Sequence, residues 1–158
     1  MLKKFLDTFK STVLSTLDEN NNPFTSYAPF IKKDDKYYIY ISSMAKHFKN
    51  LKKNKKVSLF FVEDETYCEN IFRRKRVVLQ CNSEIIPRDT KEFEQLVELF
   101  ENKHGSTMKV LKSMKDFAFF EFIPFYGEAV FGFGEAYNIG GEKFDQLIER
   151  ENLKGHSK

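Results

Sequence analysis

The chain has 158 residues, of which 41% are hydrophobic and 31% charged, a balance typical of one globular domain and not of a disordered chain. Its 26 Lys and Arg residues nearly match its 23 Asp and Glu residues, so the formal net charge of +3 gives no argument for nucleic-acid binding. The two cysteines, Cys68 and Cys81, are too few for a disulfide framework or for a zinc site of their own.

Hydropathy and aromatic content indicate where the protein is located and what fills its core. The sequence contains no run of the ~18 apolar residues that a membrane span requires, and its first residues lack the apolar stretch of a secretory signal. We therefore expect a cytoplasmic protein with reduced thiols and no membrane partner. The 18 Phe and 7 Tyr residues, with no Trp, predict a phenylalanine-rich core and offer rings against which a flat apolar ligand can pack.

The N-terminal part of the chain predicts two helices and four strands. Apolar residues recur with helical spacing at the start, and β-branched or aromatic runs between turn-forming clusters are typical of strands. Ser42 or Ser43 is expected to cap the second helix, whose exposed face is rich in lysine. In chain order the predicted elements are a helix over 1–10, strands over 12–17, 24–32 and 36–42, a helix over 45–51 and a strand over 57–63.

The C-terminal part predicts a long strand, a well-marked helix and two further strands. Pro87 ends the long strand, Asp89 is expected to cap the helix, and a glycine after His104 ends it. The predicted elements are a strand over 71–86, with or without a bulge, a helix after 89, a short helical piece over 106–114, strands over 117–123 and 129–139, and a weak helix over 144–148. About seven locally joined strands predict a mainly β, antiparallel barrel or α+β domain, and not a doubly wound parallel sheet.

The sequence lacks the familiar catalytic motifs, and its three histidines are the next candidates for a functional site. His104 ends the predicted helix, where interaction with the helix dipole explains it. His47 lies with Ser43 and Lys46 at a strand-to-helix junction, which suits either a bound anion or a solvated basic helix face. His156 stands third from the C-terminus, where histidines are usually solvated, yet the glycine before it would let the ring turn into a cleft, and imidazole is a common axial ligand of haem iron.

Charged residues supply two further candidates. Four basic residues run from Arg73 to Arg76, and strand alternation would point Arg74 and Arg76 to one face. They form either an exposed basic strand end or a clamp for propionate or phosphate. Asp116 precedes an apolar strand, where it serves as a cap or accepts a hydrogen bond from an imidazole N–H.

Several segments resemble a known family. Residues 12–86 resemble the FMN-binding split barrel of the pyridoxamine-phosphate oxidase type, with its short helix, hairpin and strand-to-helix junction in order. The segments that resemble the HugZ/HutZ haem-utilisation branch of that superfamily are Ala45-Lys-His47 with Asn50-Leu51, Phe72-Arg-Arg-Lys-Arg76, Asp116-Phe117, Phe131-Gly-Phe-Gly-Glu-Ala-Tyr137 and the closing Gly155-His156. The resemblance implies an antiparallel split β-barrel with a few flanking helices over 1–140, and a tail over 141–158 that carries a haem-ligand loop.

This resemblance also implies a function and a set of site residues. The branch implies a homodimer that binds haem near the subunit interface and degrades it with O₂ and electrons from an unidentified donor, releasing iron. By the resemblance, His156 corresponds to the axial ligand, and Asp116 corresponds to the carboxylate on the ligand side. Arg76, or alternatively Arg74, corresponds to the arginine on the oxygen-binding side, and His47 matches a histidine near the pocket.

Two alternatives stay open at this point. The same barrel is expected in an FMN-binding oxidoreductase, whose phosphate would be held by Ser42, Ser43, Lys46 and Arg76. A non-catalytic haem carrier or store would need the same pocket as a haem oxygenase, so the residues do not separate the two.

Overall fold

The computed structural model describes residues 1–150 as an antiparallel β-structure with short helices on its outside. Within that range the strands are β1 (Ser11–Leu17), β2 (Pro23–Lys33), β3 (Lys36–Ser42), β4 (Lys56–Val62), β5 (Arg76–Ile86), β6 (Phe117–Val130), β7 (Ala136–Gly140) and β8 (Gln146–Glu149). The α-helices of the same range are α1 (Leu2–Leu6), α2 (Lys46–Lys53), α3 (Lys91–His104) and α4 (Thr107–Leu111). No helix within residues 1–150 is long and apolar enough to span a membrane.

Six of the strands close into a barrel. The sheet order is β3-β2-β1-β4-β5-β6-β7-β8, and β3 pairs a second time, with β6, so that β1 to β6 form a closed antiparallel ring. The closing register places Ser42 opposite Phe117 and Tyr37 opposite Phe122. Strands β7 and β8 continue the sheet outside the ring. The predicted mainly β barrel with flanking helices is therefore confirmed.

The barrel interior is filled largely by aromatic rings. Strand β1 alternates strictly between buried and half-buried residues, as expected for a strand with one face on the core. Phe30, Phe61 and Tyr37 contact one another inside the ring, with centroids 5.3 to 6.0 Å apart. A second apolar cluster lies outside the barrel, where α3 packs Phe93 and Phe100 against Phe119. The predicted phenylalanine-rich core is confirmed. These ring contacts, tilted at Tyr37 and edge-to-face elsewhere, stabilise it beyond simple burial.

Both N-terminal helices differ from their predicted form. The helix predicted over 1–10 ends at Leu6, with Asp7 as its C-cap, and Phe9 instead contacts Phe61 from outside the helix. The predicted serine cap of α2 is wrong: the helix begins at Lys46 after Ala45, without a side-chain cap. The Ser42 hydroxyl is instead bonded to Asp116, a partner that sequence spacing does not reveal.

The region over 71–86, predicted as one long strand or as two broken by a bulge, begins with a separate turn. Residues Ile71–Arg73 form a 3₁₀ turn, because the Asn70 side chain accepts a hydrogen bond from the Phe72 amide, and the strand begins only at Arg76. The predicted alternation of the basic residues before Arg76 is therefore wrong. The strand does carry an irregularity between Gln80 and Cys81, opposite Pro124 of β6.

The C-terminal elements also differ in their bounds. The separate strands predicted over 117–123 and 129–139 are one continuous strand, β6, followed by the short β7. The helix α3 is capped by Thr90 and not by Asp89, since the Thr90 hydroxyl accepts the Phe93 N–H at 3.2 Å. The weak helix predicted over 144–148 is wrong, because residues with positive φ at Gly141 and Phe144 turn the chain and return it as β8.

Candidate functional site

Asp116 lies at the end of the barrel where β3 and β6 meet. The Ser42 Oγ donates a hydrogen bond to Asp116 Oδ2 at 2.9 Å, and the Ser43 amide donates to the Asp116 backbone oxygen at 2.7 Å. The amide of Met44 in turn donates to Ser42 Oγ at 3.1 Å, which orients that hydroxyl toward the carboxylate. The Asp116 side chain is exposed. This corner therefore presents a fixed carboxylate that can accept an N–H bond from an incoming group.

The start of α2 directs its two predicted site residues toward β2. His47 is half-buried, and its Nδ1 lies 2.8 Å from Ser26 Oγ. Burial lowers the pKa of His47, so its imidazole is neutral near pH 7. Lys46 Nζ lies 4.0 Å from Asp18 Oδ2 and 4.9 Å from the Phe24 ring centroid. None of these three contacts joins His47 or Lys46 to the Asp116 corner.

The two predicted arginines organise the loop before β5. Arg74 Nε donates to the Glu63 carbonyl at 2.6 Å, and its Nη1 pairs with Glu65 Oε1 at 3.0 Å. Arg76 Nη1 donates to the Arg74 carbonyl at 2.8 Å. Both side chains are half-buried. Arg74 therefore holds the loop through its hydrogen bonds. The guanidinium of Arg76 donates one such bond and has further N–H groups that can reach a ligand.

The arginines and the Asp116 corner lie at opposite ends of β6. Arg76 pairs with Val130 at one end of this strand, and Ser42 pairs with Phe117 at the other. The intervening strand is on the order of 40 Å long at about 3.3 Å per residue. Within one chain, the structure brings together Ser42, Ser43 and Asp116 but does not bring Arg76 to them.

A cleft at the Arg76 end was not predicted from the sequence. It has a volume of about 980 Å³ and is bordered by α1, the end of β4 and the segment after β6. Its walls combine the rings of Phe5, Phe9 and Phe131 with the cations of Lys4 and Lys75. The rings suit a flat apolar ligand, while Glu63, Asp64 and Glu135 in the same walls balance the charge of the lysines. The sequence signal that could have indicated the cleft is the pair of aromatic residues Phe5 and Phe9 near the start of the chain.

Of the remaining candidates, His104 and the two cysteines have contacts that explain them as parts of the fold, and His156 lies outside the described range. His104 ends α3, and its Nε2 lies 2.9 Å from the Phe30 carbonyl. Burial lowers the pKa of His104. Because a carbonyl oxygen only accepts, Nε2 carries the hydrogen that is donated to Phe30. Cys81 is buried and Cys68 half-buried. Within residues 1–150 no cluster of three His, Cys, Asp or Glu side chains could hold a metal. The predicted haem ligand His156 lies outside the described residues.

Comparisons with known proteins agree with this fold. The sequence matches the family model of pyridoxamine 5′-phosphate oxidase over residues 1–131. It is 32% identical over 157 residues to the haem oxygenase HutZ of Vibrio cholerae, and the alignment covers 99% of this chain and 88% of that protein.

Two solved structures extend the comparison. A crystal structure of HutZ, named there as the haem storage protein from Vibrio cholerae, superposes with a TM-score of 0.74 at 32% identity and covers 78% of this chain and 87% of that one. The crystal structure of Campylobacter jejuni ChuZ superposes with a TM-score of 0.87 at 31% identity, over 99% of this chain and 63% of that one. The chain therefore belongs to the pyridoxamine 5′-phosphate oxidase family of split-barrel proteins, and HutZ and ChuZ are among its homologues.

Proposed function

We propose that this protein is a haem oxygenase, which binds haem and degrades it with O₂ and a reductant so that iron is released. The observation that carries the proposal is the 32% identity over 99% of the chain to HutZ, a relative named for this activity. The relationship spans the whole described fold and the Asp116 corner within it. Oxygen activation belongs to the iron of the bound haem, and the residues of this chain bind and orient that substrate.

On the ligand side, we propose that Asp116 accepts the N–H of the His156 imidazole. Such a bond fixes the ring's orientation and raises the basicity of the nitrogen that faces iron. Two observations support this role: the Asp116 carboxylate is exposed, and Ser42 holds one of its oxygens at 2.9 Å. On the other side, Arg76 is the cation proposed to face bound oxygen, because charge-assisted hydrogen bonds stabilise developing negative charge.

The distances along the chain support a site shared by two copies. The last described residue, Arg150, is tied to Glu128 of β6 at 2.7 Å, near the Arg76 end of the barrel. His156 follows six residues later, and six extended residues span at most about 20 Å. The path along β6 to Asp116 of the same chain is on the order of 40 Å. We therefore propose that haem is held between His156 of one copy and Asp116 of a second.

An apolar face on the outside of the barrel supports this dimer. Val13, Phe60 and Val78 are neighbours in one row across β1, β4 and β5, and all three are half-buried in the single chain. Tyr27 extends the row on β2 with 66% of its surface exposed. Sheet faces that point to water usually carry polar residues, so an apolar row of this kind is typical of an interface. A two-fold axis on this face would bring the two copies together.

A haem store without catalysis is the second candidate, because the crystal structure of HutZ is named for storage. An absorption spectrum with hemin, followed by ascorbate in air, separates the candidates. We expect a Soret band that decays as a ferrous chelator captures iron. A stable Soret band would favour storage, a bound flavin spectrum would favour the FMN oxidoreductase, and no Soret band would contradict haem binding.

The residue assignments are tested on the same assay. The variants His156→Ala and Asp116→Asn should alter the Soret band of the hemin complex. A matched control is His104→Gln, which keeps a donor near the Phe30 carbonyl and should leave the band unchanged. Wild-type coordination in His156→Ala would remove His156 from the site.

A further inference from the structure

Arg88 is bonded to the backbone of the segment that carries Asp116. It follows the end of β5 and is half-buried between the barrel and α3. Its guanidinium lies 4.9 Å from the ring centroid of Phe93, which braces the planar group from one side. The hydrogen bonds that it donates go to the carbonyls of Lys112 (3.2 Å), Met114 (2.7 Å) and Phe117 (2.7 Å) and to the hydroxyl of Tyr40 (3.2 Å).

The two shortest of these bonds flank Asp116 in the sequence. The Met114 carbonyl lies two residues before Asp116, and the Phe117 carbonyl belongs to the next residue. The Met114 carbonyl also accepts the Phe117 amide at 3.2 Å, which closes a turn around Asp116. On its other side, the Asp116 carbonyl accepts the Ser43 amide at 2.7 Å. The backbone at Asp116 is therefore fixed from two directions, by Arg88 and by the end of β3.

The choice of arginine follows from this geometry. A guanidinium offers five donors in a rigid planar fork and can join several carbonyls at once, whereas an ammonium is a single compact point. Within residues 1–150, Arg88 forms no ion pair with a carboxylate. Its half-buried charge is stabilised by neutral carbonyl oxygens and by the Phe93 ring. Its bonding capacity is thus directed at the backbone around Asp116.

We propose that Arg88 is a positioning residue for Asp116: it holds the turn on both sides of the carboxylate so that Asp116 stays aimed at the haem-ligating imidazole. The proposal rests on the function proposed above for Asp116. In this role Arg88 acts through the backbone of the turn. A hydrogen bond to an imidazole depends on placement to within a fraction of an ångström, so releasing the turn weakens that bond without removing the carboxylate.

A haem-free measurement tests the positioning directly. Amide hydrogen exchange is compared in the wild type, Arg88→Met and Arg73→Met. The control loses the same charge, but Arg73 is exposed and contacts Phe133 instead of the Asp116 turn. We expect the amides of Ser43 and Phe117 to exchange about 10- to 100-fold faster in Arg88→Met only. Unchanged exchange at both amides in Arg88→Met would overturn the proposal.

Hemin-loaded protein gives the second readout. The iron–histidine stretching band of the ferrous complex is recorded for Asp116→Asn, Arg88→Met and the double variant. We expect Arg88→Met to shift the band in the same direction as Asp116→Asn, and the double variant to show no further shift. A wild-type band in a folded Arg88→Met would overturn the role proposed for Arg88.

Two further outcomes distinguish a failure of the role proposed for Arg88 from a failure of the function proposed for Asp116. If Arg88→Met fails to fold, Arg88→Lys takes its place, and we expect it to restore thermal stability but only part of the band position; full restoration would overturn the need for the planar fork. If Asp116→Asn leaves the band unchanged, the proposed function of Asp116 is overturned, while the exchange rates still decide whether Arg88 fixes the turn.

Discussion

Ser42 and Asp116, 74 residues apart in the sequence, are joined by a hydrogen bond of 2.9 Å between a hydroxyl and a carboxylate. Their meeting is a direct result of barrel closure, because Ser42 is the last residue of β3 and Asp116 precedes β6, the strand that β3 pairs with. The candidate ligand-side corner therefore exists only when the ring is closed. Stability of the barrel and geometry of the site are coupled at this point.

Removing the Ser42 hydroxyl should weaken the haem site with little effect on folding. In Ser42→Ala the Asp116 carboxylate loses a donor, and we expect a several-fold weaker hemin affinity, equivalent to about 1 kcal/mol. Hemin titration followed at the Soret band measures this. The matched control is Ser113→Ala, whose hydroxyl bonds the Val110 carbonyl in the same segment. Equal affinities in both variants would argue against the Ser42–Asp116 bond as a part of the site.

A charge on the apolar outer row should separate the proposed dimer. Val78 lies on this row between β4 and β6, so Val78→Glu would place a carboxylate in the interface at a cost of several kcal/mol. We expect a monomer in sedimentation experiments and a loss of hemin coordination, with a native circular-dichroism spectrum. Val110→Glu, at an exposed position of α4, is the control and should stay dimeric. A dimeric Val78→Glu protein would place the interface elsewhere.

The half-buried histidine His47 should make the fold less stable in mild acid. Burial lowers the pKa of His47 below its ordinary value of 6.5, so below pH 6.5 the unfolded chain binds more protons than the folded chain. The free energy of unfolding should therefore rise with pH up to about 6.5 and then level off. His47→Gln should reduce this slope in urea denaturation at pH 5.5 and 7.5. An unchanged slope would mean that His47 is protonated equally in both states.

The buried carboxylate of Glu121 on β6 is stabilised by a hydrogen bond from Tyr38. Glu121 accepts a hydrogen bond from the Tyr38 hydroxyl at 2.9 Å and from Lys36 Nζ at 3.3 Å. Burial and the Glu121 carboxylate both raise the pKa of Tyr38, which therefore stays a donor. Tyr38→Phe should lower the free energy of unfolding by about 1–3 kcal/mol, since it leaves a buried carboxylate short of a partner. Tyr67→Phe, at a position that is 80% exposed and off the apolar row, is the control and should change it by less than about 0.5 kcal/mol.

The sequence predicted those features that depend on neighbours in the chain. A run of β-branched residues predicted β1, and the turn at 33–35 predicted the hairpin between β2 and β3, each within a residue or two of the observed bounds. The residue types of the corner, Ser43 and Asp116, could also be named. Their spatial relation could not, because it depends on the long-range pairing of β3 with β6.

The errors have the same physical origin. The basic run before Arg76 was expected to alternate, but an Asn70 side chain starts a 3₁₀ turn there. The last strand, β8, forms because two positive-φ residues fold it back on β7, and its sequence alone resembled a weak helix. The role of Arg88 has no signal in the sequence, because its partners are backbone carbonyls more than 20 residues later.

The length of β6 also decides how two defective chains should behave when mixed. One end of this strand lies beside Asp116. The other end lies beside Arg76 and beside Arg150, the last described residue. Co-expressing an Asp116→Asn chain with a His156→Ala chain would then give hybrid pairs in which one of two pockets is whole and the other doubly impaired. Restored haem turnover in such hybrids is the complementation expected of a pocket divided between chains, and a pocket confined to one chain would give none.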